Sequence, residues 1–159
     1  MGSSCWRKSA GRFSEKMQLL AGYTDTIKRW AAQRIDGLSE PTHVFGLVDE
    51  IGALRGCLLL NEITANTAEF IVYSEAGLGP GAARQVFATA FDRYGRLQVT
   101  VERKNTHSLK QTPKWGFKYD GTARNFFGPG ADAVRFVMMK QDCRWLRKTR
   151  QDHGILLQA

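Results

Sequence analysis

The stretch between residues 68 and 101 restricts the possible folds more than any other part of the chain. It begins with the β-forming run Ala68 to Tyr73, passes through a glycine cluster, and continues into a helical pattern. Gly95 ends that helix, and Arg96 to Val101 then alternates apolar and polar residues as a half-buried strand does. A strand, a helix and a second strand of these lengths predict a crossover connection between two parallel strands.

The segments on either side of this unit predict an α/β fold. A helix from Thr24 to Ile35 is expected first, with Thr24 or Asp25 as its cap. Three consecutive strands with short turns then predict an antiparallel meander, at His43 to Val48, Leu54 to Ile63 and Ala68 to Tyr73. After the parallel pair, a short helix and two strands are expected at Asn105 to Trp115, Phe117 to Phe127 and Val134 to Lys140.

Length and composition bound the organisation of the chain. Its 159 residues suit one domain, and the apolar share of 43% and charged share of 24% are ordinary for a globular protein. We expect one domain over residues 1–146, in which 1–22 is a weakly patterned N-terminal segment, followed by a basic tail at 147–159. No apolar run approaches the roughly 20 residues that cross a bilayer, and the N-terminus lacks an apolar signal core. No membrane contact and a cytoplasmic location are therefore expected.

The net charge of +8 is high for a chain of this size. Such a field attracts anions, which include a nucleotide cofactor, nucleic acid or an acidic protein surface, and a merely solvated surface is the alternative. The three cysteines, Cys5, Cys57 and Cys143, are far apart and form no CxxC pair. They indicate reduced thiols, and neither a structural zinc site nor another metal site is expected.

The glycine cluster before the central helix has the composition of a phosphate-binding turn. It contains Gly77, Gly79 and Gly81, with Pro80 inside it. Glycine lets the backbone approach a ligand closely, and a helix start directs unpaired N–H groups and the positive end of its dipole outward. No Lys-Ser/Thr pair follows, as a Walker loop requires, and no suitably placed acidic residue completes a dinucleotide-binding fingerprint. A purely structural turn is the alternative interpretation.

Three further motifs follow this junction along the chain. Asn105-Thr-His-Ser108 begins a helix, Gly116-Phe117 ends it, and Gly121-Thr-Ala-Arg124 follows on a strand. In this order and on these elements, the motifs resemble those of the GNAT N-acetyltransferases, and the resemblance covers His43 to Leu146. The Gly-x-x-Arg element is similar to that of the ribosomal-protein N-terminal acetyltransferase branch, and Val137 to Leu146 is similar to phage-encoded members.

The resemblance implies a GNAT fold, with a mixed, mostly antiparallel sheet of about six to seven strands and helices on both faces. It also implies acetyl-CoA as cofactor. The positions it assigns to that cofactor are Ile71, Val72 and Tyr73 beside the pantetheine arm, Gly77, Leu78, Gly79, Gly81 and Ala82 around the pyrophosphate, and Asn105 and Ser108 on the next helix. Two positions differ from the family pattern, because Ser74 stands where Gln or Arg is usual and Thr112 where tyrosine is frequent.

The resemblance implies an acyltransferase that moves an acetyl group directly from acetyl-CoA to a primary amine. The attacking amine must lose a proton, which requires a base, and a backbone N–H beside the strand before the glycine turn would stabilise the oxyanion. Glu69 is the candidate base because its strand leads to the thioester position, and Glu62 is a second candidate. Tyr73 or Thr112 would serve the leaving thiolate. A solvent-facing strand residue is the alternative for Glu69, and His107 is interpreted as a surface residue.

The sequence leaves the acceptor open. A protein N-terminus, a lysine, a small amine or an aminated nucleobase would fit, and the basic surface favours an amine carried on something acidic over a free polyamine. A homodimer is compatible with the resemblance. The alternative function is a catalytically degenerate, phage-like GNAT-fold module that contacts a host protein or nucleic acid, which Ser74, Thr112 and the net charge of +8 favour. Nucleic-acid binding of that kind would weaken steeply with salt.

Overall fold

The structure, a computed structural model, describes residues 16–147. The strands are β1 (Gln18–Leu20), β2 (His43–Val48), β3 (Leu54–Thr64), β4 (Thr67–Ser74), β5 (Arg96–Glu102), β6 (Lys118–Gly128) and β7 (Ala131–Met139). The helices are α1 (Thr24–Ala32), α2 (Pro80–Arg93) and α3 (Thr106–Lys114), and short 3₁₀ turns follow β7 at Lys140–Asp142 and Arg144–Leu146. None of the helices within residues 16–147 is long and apolar enough to cross a membrane.

All seven strands form one sheet in the order β1-β2-β3-β4-β5-β7-β6. Strands β1 to β4 form an antiparallel meander, and β7 lies antiparallel between β5 and β6. Strands β4 and β5 are parallel and are connected through α2, which is the crossover that the sequence predicted. The prediction of a mixed, mostly antiparallel sheet with helices on its faces is confirmed.

The alternation of side chains along the strands produces two cores, one on each face of the sheet. The larger core lies under α2 and α3 and includes Phe70, Phe87, Leu97, Val99 and Phe136. The smaller core lies under α1 and includes Ile27, Ala31, Leu59, Ile71 and Tyr73. Because α1 packs on β2 and β3, the part of that second face formed by β5, β7 and β6 has no apolar core within residues 16–147.

The start of α1 differs from the prediction. Its N-cap is Tyr23 in a left-handed conformation with φ 53°, and no side chain caps the helix. Thr24 and Asp25 are already the first helical residues, so their side chains lie past the position from which a cap would act. The helix also ends at Ala32 and not at Ile35. The sequence did not predict β1, because a strand of three residues is too short to show alternation.

Some sequence predictions concern residues that the structure describes only in part. Residues 1–15 and 148–159 lie outside the described range, so most of the predicted N-terminal segment and the tail after residue 147 are not addressed. Cys57 and Cys143 are buried free thiols, as predicted, whereas Cys5 lies outside the described residues.

Candidate functional site

The parallel pair β4–β5 opens into a fork part-way along each strand. The two strands are in register over only three residue pairs, the last of which is Glu69 opposite Gln98. Beyond that point β4 continues to Ser74 beside β3, and β5 continues to Glu102 beside β7, but β4 and β5 no longer pair with each other. The fork leaves a gap in the middle of the sheet, bordered by strand backbone on both sides.

The side chain of Glu69 lies at the base of this fork and bridges the two strands. Its Oε2 accepts a hydrogen bond from the Thr100 backbone N–H at 2.8 Å, and its Oε1 accepts one from the Thr100 hydroxyl at 2.9 Å. The side-chain amide of Gln98 also donates to Oε1, at 3.3 Å. The carboxylate thus satisfies a strand N–H at the point where the parallel ladder stops.

The surroundings of Glu69 shift the pKa of its carboxyl. Burial raises the pKa of this carboxyl above its ordinary value of 4.5, while hydrogen bonds from Thr100 and Gln98 and the charge of Arg135 oppose the rise. A carboxylate with a raised pKa is better suited to accept a proton near neutral pH than a hydrated one. The structure therefore places Glu69 as a half-buried, hydrogen-bonded group and not as a solvent-facing strand residue.

The N-terminus of α2 follows the open end of the fork and has no side-chain cap. Its N-cap is Gly79, and the first turn contains no acidic residue. Pro80 has no N–H, so the unpaired amides of the first turn are those of Gly81 and Ala82. A Cβ added at Gly81 would meet no atom within 4 Å beyond its own turn of helix. The helix start thus has N–H donors without a partner inside the helix and the positive end of the dipole, both of which favour an anion.

Ser74 shapes the turn between β4 and α2. Its hydroxyl donates a hydrogen bond of 2.6 Å to the carbonyl of Gly77. The φ of Gly77 is 79°, in the left-handed region that glycine adopts at little cost. At the position where the family pattern has Gln or Arg, the hydroxyl of Ser74 is thus used within the turn.

The backbone of β4 directs its polar groups alternately to β3 and to the fork. The Glu75 N–H donates to the Arg55 carbonyl across the β3–β4 ladder. Because the direction of the backbone groups alternates along a strand, the N–H and C=O of Tyr73 and Ile71 also point to β3. The N–H and C=O of Val72 therefore point to the fork. Among the three predicted pantetheine contacts, Val72 is the one whose backbone groups border the gap.

Helix α3 brings further predicted cofactor residues to the β5 side. Asn105 is its N-cap and accepts a hydrogen bond from the Ser108 N–H at 3.2 Å, as predicted. Ser108 and Thr112 are buried one turn apart. The Thr112 hydroxyl and the Nε2 atom of His107 are buried and have no hydrogen-bond partner within residues 16–147. His107 is therefore not the plain surface residue that the sequence suggested.

Replacing Thr112 with valine is expected to raise the free energy of unfolding by about 1 kcal/mol, because a buried hydroxyl without a partner becomes a methyl group of similar volume. The measurement is chemical denaturation of the protein without ligand. Thr106→Val, an exposed change on the same helix, is the control and should stay within about 0.5 kcal/mol of the original. A clear loss of stability in Thr112→Val would show that the hydroxyl already has a partner in the folded protein.

The other acid–base candidates do not meet at the fork. The ring of Tyr73 packs edge-on against Trp30 of α1, with the ring centroids 5.7 Å apart. Glu62 is in register with Ala68, whose side chain packs under α2, so it faces away from the side that Glu69 occupies. Its Oε1 accepts a hydrogen bond from the Tyr94 hydroxyl at 2.9 Å.

An aromatic cluster fills the groove between α2 and α3 near the C-terminal end of α3. Trp145 stacks on Phe87, with ring centroids 6.2 Å apart and an interplanar angle of 4°. The indole N–H of Trp145 donates to the Trp115 carbonyl at 3.0 Å. Phe70 and Phe117 pack against Phe87 from the sheet. Trp145 and Phe87 are far apart in the chain, so nothing local in the sequence indicated that the Trp145 ring covers α2.

Solved structures similar to this chain include several acetyltransferases. A mutant of the spermidine N-acetyltransferase SpeG from Vibrio cholerae matches with a TM-score of 0.64 at 18% identity, over 82% of this chain and 96% of that one. A GCN5-related N-acetyltransferase from Brucella melitensis matches with 0.53 at 20% identity, over 74% and 59%. A GNAT-family acetyltransferase from Bacillus anthracis matches with 0.52 at 16% identity, over 62% and 66%. The chain has the GNAT fold.

No protein-family model matches the chain, and no curated protein sequence matches it. The likeness to solved structures therefore establishes the GNAT fold and not an activity. Within this fold the pairing of β4 and β5 ends at Glu69 and Gln98, and α2 begins after the turn that follows β4.

The residues beside the gap between β4 and β5 and at the start of α2 suit the acetyl-CoA that the resemblance implies. A diphosphate needs N–H donors and positive potential, which Gly81, Ala82 and the α2 dipole supply. The amide-bearing pantetheine arm needs hydrogen-bond partners of the kind that a strand backbone offers. The N–H and C=O of Val72 point to the gap and are such partners.

Proposed function

We propose that this protein is an N-acetyltransferase that moves an acetyl group from acetyl-CoA to an amine. The observation that carries the proposal is that a forked parallel pair and an uncapped helix start lie at the same end of the sheet. Each feature is common alone. Together they offer strand backbone for an amide-bearing arm and helix amides for its diphosphate.

The residues proposed to hold the cofactor are the predicted set, now on defined elements. The diphosphate is proposed to lie at the turn before α2 and the first residues of that helix, which are Gly77, Leu78, Gly79, Gly81 and Ala82. The β4 side of the fork is formed by Val72 with its neighbours Ile71 and Tyr73. The start of α3 contributes Asn105 and Ser108. Acetyl-CoA, when bound, supplies an acetyl group activated as a thioester, so that a C–N bond can form as the C–S bond breaks.

Glu69 is proposed as the base that takes the proton from the amine nitrogen. Its side chain projects from the fork on the face opposite to α2, because its register partner Gln98 alternates with Leu97 and Val99 of the larger core. The amine would therefore approach from the open face of β5 and β7. Tyr73 and Thr112 stay predictions as the group that donates a proton to the leaving thiolate. Thr112 is fully buried on α3, whereas Tyr73 lies under α1.

A binding module without activity is the second candidate, and the role of Ser74 favours it. The family position for Gln or Arg is occupied by a hydroxyl that bonds to Gly77 within the turn. Such a module, phage-like or otherwise, would bind an acidic protein or nucleic acid through its net charge of +8. Binding that weakens steeply between low and moderate salt, without acetyl transfer to any amine, would favour it.

Finer aspects of the assignment are also proposals. Membership of the ribosomal-protein N-terminal acetyltransferase branch would make the acceptor a protein N-terminus, in a cytoplasmic enzyme. One similar structure is a dodecameric spermidine N-acetyltransferase from Vibrio cholerae. For the present chain we propose a homodimer, and an acceptor other than a free polyamine, since a net charge of +8 repels polycations.

Titration calorimetry with acetyl-CoA tests the proposal. We expect saturable binding of acetyl-CoA with one site per chain and much weaker binding of S-acetyl-N-acetylcysteamine, which has the thioester but no diphosphate. The absence of binding at millimolar acetyl-CoA would remove the transferase assignment. Equal affinity for the two thioesters would show that the start of α2 does not bind the diphosphate.

A further inference from the structure

Arg135 on β7 stands beside the proposed base on the open face of the sheet. It is in register with Thr100 of β5, whose hydroxyl bonds to Glu69. Residues opposite each other in an antiparallel pair project to the same face, so Arg135, Thr100 and Glu69 form a row across three strands. Arg135 is close enough for its charge to act on the Glu69 carboxyl.

The guanidinium of Arg135 has one hydrogen-bond donor that the described residues leave unpaired. Its Nε is buried and has no hydrogen-bond partner within residues 16–147. A buried donor without a partner is costly, and such groups in folded proteins usually have a ligand or an ordered partner. This separates Arg135 from Arg96 on the same face, which donates to Gln98 at 3.0 Å and pairs with Asp120 at 2.8 Å.

The sheet leaves space next to Arg135. Its register neighbour on the other side, in β6, is Gly121, with φ 134°. A Cβ added at Gly121 would meet no atom within 4 Å. Gly121 therefore places no side chain over Arg135, and the described helix on this face, α1, packs on β2 and β3 instead.

We propose that Arg135 binds an anionic group, a carboxylate or a phosphate, on the same acceptor molecule whose amine Glu69 deprotonates. This inference rests on the proposed function and adds the chemical class of the acceptor, an amine that also bears an acid. Arginine offers parallel N–H donors that fit both anions, and its side chain repels the polyamine class of acceptor. Specificity arises because an acceptor without the acid leaves a buried donor unpaired.

Two matched pairs of acceptors test the proposal, namely β-alanine against β-alaninamide and O-phosphoethanolamine against ethanolamine. With saturating acetyl-CoA, we expect kcat/KM to be about 10- to 100-fold higher for the acidic member of one pair, the loss expected for one charge-assisted hydrogen bond. The pair that shows the difference identifies carboxylate or phosphate. Arg135→Gln should abolish the difference because it raises KM for the acidic member, whereas the loss of the Arg135 charge beside Glu69 affects kcat for both members alike.

Arg103→Gln is the matched control, since it removes the same charge from an exposed residue just past the end of β5. It should preserve the preference. If Arg135→Gln lowers kcat equally for both members of a pair and leaves the ratio of their kcat/KM values unchanged, Arg135 only positions Glu69 and the proposal is wrong. Equal kcat/KM values for the two members of both pairs in the original protein would also overturn it.

A second readout does not depend on catalysis. The Nε–H resonance of Arg135, assigned by its loss in Arg135→Gln, is followed by NMR while sodium acetate or inorganic phosphate is added. A saturable shift with one of the two anions supports the anion site even if no amine is acetylated, in which case the proposed function fails and the site remains. An unmoved resonance with both anions overturns the inference even if acetyl transfer is observed.

Discussion

Replacing Glu69 with glutamine is expected to lower kcat by about 10²- to 10⁴-fold, the usual contribution of a general base. Glutamine keeps the shape and one hydrogen-bond acceptor for Thr100, but it cannot take a proton from the amine. The dissociation constant for acetyl-CoA should stay nearly unchanged, because the diphosphate site lies at the start of α2. Steady-state kinetics and calorimetry on the same preparations measure the two quantities.

The pH dependence of activity and of stability gives a further test of the role of Glu69. Because burial raises the pKa of Glu69 above 4.5, the base is deprotonated only as pH rises through that raised value, so activity should increase with pH in this range. The folded protein binds this proton more tightly than the unfolded chain does. The contribution of Glu69 to the free energy of unfolding is therefore fully present below the pKa of the unfolded chain, and it is lost as pH rises through the raised pKa of the folded protein. Glu69→Gln should remove both dependences.

Glu62→Gln is the matched control, because it makes the same substitution on the neighbouring strand but on the opposite face. It should leave kcat within about twofold, since its carboxylate bonds to Tyr94 and does not reach the fork. A Glu69→Gln protein that retains full turnover would show that another group, or solvent alone, accepts the proton. Loss of folding would appear in circular dichroism before any kinetic interpretation.

Replacing Gly81 with aspartate is expected to weaken acetyl-CoA binding by about 100-fold, while it raises the stability of the unliganded protein by about 0.5 kcal/mol. A carboxylate in the first turn of α2 interacts favourably with the helix dipole and with unpaired amides. It therefore occupies the same donors that a diphosphate would use and repels the incoming charge. Calorimetry with acetyl-CoA and thermal denaturation without it measure the two opposite effects.

Gly81→Ala separates charge from shape. An added Cβ meets open space at this position, so alanine should raise stability through helix propensity, by about 1 kcal/mol, and preserve most of the affinity. If alanine and aspartate weaken binding equally, close approach of the backbone and not charge governs the site. If neither changes binding, the diphosphate does not lie on α2.

The fold was predictable from the sequence because local patterns and chain order agree. The run into Gly77, the helical pattern after Pro80 and the alternation from Arg96 each fix one element, and their lengths allow only a crossover between parallel strands. The strand β1 was not predictable, because three residues have no readable period. The cap of α1 was missed because Thr24 and Asp25 are good capping residues that the chain places inside the helix.

The candidate site was predictable only where it depends on local structure. The glycine turn and the Asn105 cap are short-range features and were found where expected. The bridge from Glu69 to Thr100 joins residues 31 positions apart, and it exists because pairing of β4 and β5 stops at that point. Periodicity can mark Glu69 as an alternate residue of a strand, but it cannot show where two strands separate. The neighbourhood of Arg135 depends on register in the same way.

The stacking of Trp145 on Phe87 has a practical consequence for engineering shortened versions of the protein. Arg144 donates to the carbonyl of Lys114, and the indole N–H of Trp145 donates to that of Trp115, so this last described segment seals the C-terminal end of α3. A deletion that ends at β7 would leave Phe87 open to solvent. Designs for crystallisation or fusion should therefore keep every residue through Leu146.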